Sequence, residues 1–330
     1  MRLGLSQAAY RWVSYPGLRL DQPEYGFRGI AYPYGTVTDG PGSMDEAPVT
    51  WWADRCEEWH LDSLYLTTKW FQTEAEYQAA AKTLADRNIE WIGSLGMAWA
   101  VEPNEWPAIH DEAIFELQQL HNAGVKVTAM VNTDPPGAEG QPVPNGGLRF
   151  GHFSREIPMA RQIENMSRNL GALVKDAESA GVVLAFENHM DYRISEIVQV
   201  VEAVNSPWLR INYDFANSYS VVEDQVEAAY LAAPYTVMSH IKDMRVQSIT
   251  TDGQPRFFHA PIGYGNVEIA EILEIFQQNS PDPDSISHCI ETCCRPEYDP
   301  QLWMKLSVEF LETECASYFQ SRPPVNPTRQ

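Results

Sequence analysis

Four residues able to bind a hard or borderline metal close four successive apolar runs in the second half of this 330-residue chain. The runs end in Phe186-Glu187-Asn188-His189, Asn212-Tyr213-Asp214, Ser239-His240-Ile241-Lys242-Asp243 and Cys289-Ile290-Glu291. Brought to one point, Glu187, Asp214, His240 and Glu291 present three carboxylates and one imidazole. Burying three carboxylates together costs several kcal/mol per charge or forces protonation, and a divalent cation removes that cost. Oxygen-rich ligation with a single imidazole suits Mn²⁺ first, and Mg²⁺ or Co²⁺ after it, better than the nitrogen- and sulfur-loving Zn²⁺. A six-coordinate ion would keep positions open for neighbouring oxygens of a sugar. One acidic residue at the end of one run is more often a helix cap or a salt-bridge partner. The ordered set of four is what points to a metal.

Other residues cluster around these. His189 lies two positions after Glu187, so the two share a face if the strand continues. A neutral imidazole there is a general base for neutral pH, or else a group that orients a ligand or substrate oxygen. The expected catalytic set is Glu187, His189 and Glu291. Lys242, Arg245 and Arg295 closely follow ligand positions and are expected to contact substrate hydroxyls or carboxylates; surface ion pairing is their ordinary alternative role, more so for Arg245. Tyr10, Trp12, Tyr15, Tyr25, Phe27, Tyr32 and Tyr34 crowd one segment, and Trp99 and Trp106 another. Trp12 and Trp99 are the expected stacking surfaces for a sugar ring or an attached aromatic group. Cys293-Cys294 has no second Cys/His pair at zinc-site spacing.

Elements must bring these positions together. Apolar runs at Arg2–Ala8, Ser63–Thr67, Glu90–Leu95, Lys126–Asn132, Val182–Glu187, Leu209–Asp214, Val237–Ile241 and Ser285–Glu291 read as strands buried on both faces. Helical patterns lie between them: Pro48–His60, Thr73 to about Arg87, Asp111–Asn122, Met159–Ser179, Ser195–Val204, Val222–Ala233, Val267–Gln277, and one from Asp299-Pro300 to about Tyr318. Thr73 with Glu76, and Ser220 with Glu223, are spaced as capping boxes. Strands alternating with helices predict a single (β/α)₈ barrel over residues 1–320, with 321–330 as an extended or disordered tail. An open doubly wound sheet is the alternative, and no glycine-rich phosphate loop follows an early strand. The carboxyl ends of barrel strands form one mouth, where such folds place their sites. Long segments after strands one and four, Tyr10–Ala47 and Thr133–Phe153, are expected to wall that mouth.

Composition narrows the partners. Apolar residues make up 44% of the chain, enough for a large core. A formal charge of −22 repels phosphate backbones and anionic lipid. No nucleic acid and no membrane are expected as partners; a neutral small-molecule sugar or glycoside is. Five cysteines in so long a chain read as reduced thiols, and no signal-like or membrane-spanning run occurs, so a cytoplasmic protein is expected.

The order Glu, Asp, His, Glu on strands five to eight resembles the xylose isomerase-like barrel superfamily. It is most similar to the sugar isomerases and epimerases that include tagatose 3-epimerase, hydroxypyruvate isomerase and inosose dehydratase. Ala185-Phe186-Glu187-Asn188-His189 and His240-Ile241-Lys242-Asp243 carry the likeness. So does Pro261-Ile262-Gly263-Tyr264-Gly265-Asn266-Val267, which is similar to the family's proline–hydrophobic–glycine–glutamate–glycine turn. Tyr264 replaces the glutamate, a departure expected to change how the ligands are supported. The resemblance spans nearly the whole chain and is strongest between Val182 and Glu291. It implies a divalent-metal-dependent isomerase or epimerase in which Glu187 and Glu291 face opposite sides of a carbon beside a carbonyl, one removing a proton and the other returning one through an enediolate. A homo-oligomer is expected. The large subunit of C-glycoside deglycosidases, a branch of the superfamily, cleaves 3-oxo glycosides and carries a histidine two residues after its first glutamate ligand. A lyase with a small partner subunit is therefore the alternative. Endonuclease IV shares the barrel but uses more histidines and meets DNA. A non-catalytic sugar-binding barrel would be expected to lack a ligand, and all four are present.

Overall fold

The computed structural model describes residues 1–10, 49–67, 71, 73–133, 157–248, 255–294 and 298–319. Its strands are β1 (Arg2–Ser6), β2 (Ser63–Tyr65), β3 (Glu90–Met97), β4 (Val127–Asn132), β5 (Val183–Glu187), β6 (Leu209–Asp214), β7 (Thr236–Ile241), β8 (Asp243–Ser248), β9 (Pro255–Ala260) and β10 (Ser287–Ile290). The helices among the described residues are α1 (Val49–Glu58), α2 (Glu74–Ala85), α3 (Trp106–Asn122), α4 (Met159–Ala180), α5 (Ile194–Val204), α6 (Gln225–Ala232), α7 (Ile269–Asn279) and α8 (Pro300–Thr313). The strands β1 to β7 and β10 pair in parallel and close into a barrel, with β1 against β10. This is the (β/α)₈ architecture expected from the alternation of runs and helices.

Period-two alternation decides what each strand offers. In β5, Leu184 and Phe186 are fully buried in the large cluster under the helices. Ala185 points the other way, into a second cluster with Tyr65, Ile92, Ala129, Met238 and Cys289 that fills the barrel. Burying each large apolar side chain contributes about 2 kcal/mol. Glu187, His240 and Glu291 each stand two residues beyond a barrel-filling residue (Ala185, Met238 and Cys289), so they emerge on the same inner face at the carboxyl end. The apolar filling lies beneath the site.

Local chemistry fixes the helices. Thr73 and Glu76 form the reciprocal capping box that opens α2. Gly181 ends α4 with φ 66°. Asp299 accepts from Gln301 N and Pro300 takes the first position of α8. The box expected of Ser220 and Glu223 does not form. Asp224 caps α6 by accepting from Val226 N and Glu227 N, while Glu223 accepts from Ile194 N at the head of α5. The helix α3 starts at Trp106, ahead of the expected Asp111, because Pro107 supplies a first-turn residue that needs no partner for its nitrogen. Asn165 and Asn169 of α4 are buried and donate to the carbonyls of Ala100, Trp99 and Val101, which ties down the loop leaving β3.

The strands β8 and β9 were not anticipated. They form an antiparallel hairpin outside the barrel, with only Lys242 separating β7 from β8. Asp243 anchors its base: its carboxylate accepts from the backbone N–H groups of Gly263, Gly265 and Val267 at 2.9, 2.7 and 3.1 Å. Tyr264 is more than half exposed, so the support expected from position 264 is absent and Asp243 braces this turn instead. A Cβ on Gly265 would lie 2.0 Å from Asp243 Oδ1 and 2.6 Å from the Met244 carbonyl. Gly265→Ala is therefore expected to destabilise the fold by about 2 kcal/mol. Chemical denaturation checks this, and an unchanged midpoint would mean that the turn is not held so tightly.

The expected walls Tyr10–Ala47 and Thr133–Phe153, beyond Tyr10 and Thr133 themselves, and the tail lie outside the described residues. Tyr10 is a core residue: its hydroxyl donates to Gln301 Oε1 and accepts from Trp59 Nε1, and its ring meets Trp51 and Trp52 edge-on. None of the five cysteines is in a disulfide. No helix among the described residues is long and apolar enough to cross a membrane.

Candidate metal centre

The barrel brings the four strand-end residues together. His240 Nδ1 lies 3.3 Å from Glu291 Oε2, 3.5 Å from Glu187 Oε2 and 3.9 Å from Asp214 Oδ2. One ligand atom each from Glu187, Asp214 and His240 fall within 4.8 Å of one another. All four side chains are buried. Parallel register explains the convergence, since Asp214 sits opposite His240, and His240 opposite Cys289, two residues before Glu291.

Each of these four side chains is held by a neighbour. Asp214 Oδ1 accepts from Ala216 N and Asn217 N, leaving Oδ2 toward the centre. Asn188 brackets the Asp214 peptide, accepting from its N–H and donating to its carbonyl, which locks the end of β5 to the end of β6. Asn212, two residues before Asp214, donates to Glu187 Oε2 at 3.0 Å. Asn217 Nδ2 reaches Glu187 Oε1 at 3.4 Å. From the end of β1, Ser6 Oγ donates to Glu291 Oε2 at 2.8 Å. The Tyr65 ring rests on the His240 ring with centroids 4.7 Å apart, and its hydroxyl pairs with Ser94. Ser6, Tyr65, Asn212 and Asn217 did not stand out in the sequence; Ser6 and Tyr65 are the last residues of β1 and β2, and Asn212 shares a face with Asp214.

Lys242 is in the centre. Its buried ammonium lies 2.6 Å from Asp214 Oδ2, 2.7 Å from Glu291 Oε1 and 3.4 Å from Asn217 Oδ1. Arg245 is exposed on β8 and is not brought to the centre. Trp99 is wholly buried, its indole N–H donating to the Val131 carbonyl at 2.9 Å, as a packing residue. Trp12 and Arg295 lie outside the described residues. His189 is half-buried just beyond the end of β5.

The charges respond to this crowding. Burial alone would lower His240, but Glu291 and Glu187 outweigh it and hold the imidazole at about 9. Burial, opposed by Lys242 and helped by Glu291 and Glu187, raises Asp214 to about 6. Against the pull of burial, Lys242 and His240 keep Glu291 well below the usual carboxylate range, and His240 lowers Glu187. The cluster therefore draws positive charge onto itself. His240 Nδ1 points at three carboxylates without a well-aligned hydrogen bond to any described residue. Such a donor set, with its imidazole nitrogen directed inward, fits a hard or borderline divalent ion.

Over residues 53–314 the chain matches the xylose isomerase-like TIM barrel family. Solved structures share the fold at low identity. A D-psicose 3-epimerase with D-tagatose from Clostridium cellulolyticum H10 aligns with TM-score 0.67 and 11% identity over 97% of this chain and 100% of that one. An IOLI protein with a bound zinc atom gives 0.63 and 15% over 97% and 100%. A xylose isomerase-like TIM barrel protein from Mycobacterium smegmatis in complex with magnesium gives 0.58 and 14% over 94% and 97%. No curated protein matches in sequence.

Proposed function

The chain belongs to the xylose isomerase-like TIM barrel family, and from that premise we propose that it is a divalent-metal-dependent sugar isomerase or epimerase. The observation that carries this reading is the convergence of Glu187, Asp214, His240 and Glu291 at one mouth of the barrel. Glu187, Asp214 and His240 would hold the ion, with Glu291 as the fourth ligand. When bound, a divalent ion there supplies Lewis-acid polarisation of a carbonyl, which acidifies the neighbouring C–H. Glu187 and Glu291 enter from strands on opposite sides of His240's strand in the barrel order, which suits one carboxylate to remove a proton and the other to return it. Lys242, already among these carboxylates, supplies a cation for the charge that develops on the substrate. Mn²⁺ is the proposed ion from the oxygen-rich donors; zinc and magnesium accompany two of the similar structures.

Turnover in deuterium oxide against a panel of ketoses and 3-oxo glycosides tests the reaction class. Deuterium appearing beside the carbonyl of recovered ketose supports isomerase or epimerase chemistry. Release of an aglycone from a 3-oxo glycoside supports the lyase reading, which His189 two residues after Glu187 favours. No exchange and no product from any member of the panel counts against both.

Metal binding is expected to be proton-linked. A ligating imidazole is neutral, so at pH 7 His240, held at about 9, must release its proton to the solvent. Calorimetry in buffers of different ionisation enthalpy should show about one proton released per Mn²⁺, and affinity should climb with pH up to about 9. The same raised value stabilises the ion-free fold below pH 6.5, a contribution lost as pH rises through about 9. Mn²⁺ binding without proton release would contradict the role given to His240.

A further inference from the structure

The most unexpected group in the centre is a cation that the protein brings itself. Lys242 is nine-tenths buried or more and makes its two short ion pairs to the carboxylates of Asp214 and Glu291. The atoms matter. Asp214 Oδ1 is committed to two backbone N–H groups, so Oδ2 is the oxygen available to an ion, and that oxygen is held by Lys242 at 2.6 Å. Glu291 is divided in the same way: Oε2 faces Ser6 and His240, while Oε1 faces Lys242 at 2.7 Å, with the Cys293 thiol 3.6 Å away. Lys242 is two residues beyond His240, and among the described residues its ammonium also donates to Asn217 Oδ1 at 3.4 Å. Counting fixed charges, three carboxylates and one ammonium leave two negative charges, which a divalent ion closes to zero around a neutral imidazole.

We infer that Lys242 is a built-in counter-ion that keeps the ligand carboxylates assembled in the ion-free protein and competes with the metal for Asp214 Oδ2, thereby setting metal affinity. This rests on the metal-dependent reading above and deepens it. A lysine that merely braced the ligands would lower metal affinity when removed, because the carboxylates would splay. A competing lysine raises affinity when removed, because the ion no longer shares its ligand oxygens with an ammonium and no longer feels its repulsion. The two roles predict opposite signs.

The test is Mn²⁺ titration of the full-length protein, with free Mn²⁺ counted by electron paramagnetic resonance at pH 8.5 for every protein compared. Lys242→Met is expected to bind Mn²⁺ at least about tenfold more tightly than wild type, and its chelator-treated form to melt at a lower temperature than chelator-treated wild type. Lys242→Arg, which keeps the charge, is expected to stay within about threefold of wild type. Unchanged or weaker binding by Lys242→Met overturns the inference. A readout that needs no variant is the Lys242 ammonium resonance of ¹⁵N-lysine-labelled wild type. It should move on Mg²⁺ addition, and a resonance that stays in place while Mg²⁺ binds overturns the inference whether or not the variants fold. Wild type that binds no Mn²⁺ at all refutes the metal-dependent reading itself, a result distinct from either of these.

Discussion

Glu187→Gln is expected to cost the protein both its ion and its chemistry. The change removes one of three anionic ligands while leaving shape almost unaltered, and the amide oxygen still accepts from Asn212 Nδ2. Altering groups that merely orient a ligand typically weakens metal binding by about 10–100-fold, so loss of a charged ligand is expected to weaken Mn²⁺ by about 10²-fold or more. Turnover should fall further still, since Glu187 is also one of the two proposed proton carriers, and loss of a general base costs about 10²–10⁴-fold. Mn²⁺ titration and steady-state kinetics at saturating metal separate the two losses. A variant whose turnover returns to the wild-type value once enough Mn²⁺ is supplied would show that Glu187 serves only the ion.

His189→Ala is expected to do the reverse, lowering turnover by about 10²-fold or more with metal content intact. The sequence argument for His189 was that residues two apart share a face, and that argument fails in the structure, because β5 stops at Glu187. What places His189 near the site is the loop itself: Asn188 is fastened to the Asp214 peptide, and the His189 carbonyl accepts from Asp191 N at 2.7 Å. The field of His189 adds to that of His240 in holding Glu187 ionised. If His189 is the base, the pH–rate profile of wild type carries a limb in the histidine range that the variant lacks. Near-normal turnover with the same profile in His189→Ala would leave proton transfer to the glutamates and favour isomerase or epimerase over lyase.

The convergence of the four candidate ligands was legible because strand ends of a parallel barrel meet at one mouth, so a position in each apolar run translates directly into a position around it. Glu187, Asp214, His240 and Glu291 needed no contact information beyond that. Lys242 was seen as a substrate contact although it stands two residues after His240, the spacing used to argue for His189. Here β7 runs one residue past His240 and β8 begins at Asp243, so strand flanks Lys242 on both sides, whereas β5 stops at Glu187 itself. The hairpin of β8 and β9 was hidden because Asp243–Ser248, although alternating, is short and follows the seventh run almost without a break, while Pro255–Ala260 opens on a proline and sets Phe257 beside Phe258. Aromatic content misled in part. Trp99 and Tyr10 sit in the core, and nothing in a tryptophan's neighbours along the chain separates a packing ring from a stacking one. His288 was likewise unreadable. It is buried against Phe215, Phe276 and Phe319 with Ser239 Oγ at 2.6 Å, and burial, with the N-terminal ammonium, pushes it down to about 3. Its partners arrive from distant segments.

The most direct measurement is an anomalous-difference map from a crystal grown with Mn²⁺. The expected map has one strong peak per chain inside the barrel mouth, bounded by Glu187, Asp214, His240 and Glu291, with Lys242 Nζ displaced from Asp214 Oδ2. A map with no peak there, or with a peak that fewer than three of these four side chains approach to bonding distance, would contradict the assignment of this site as the metal centre.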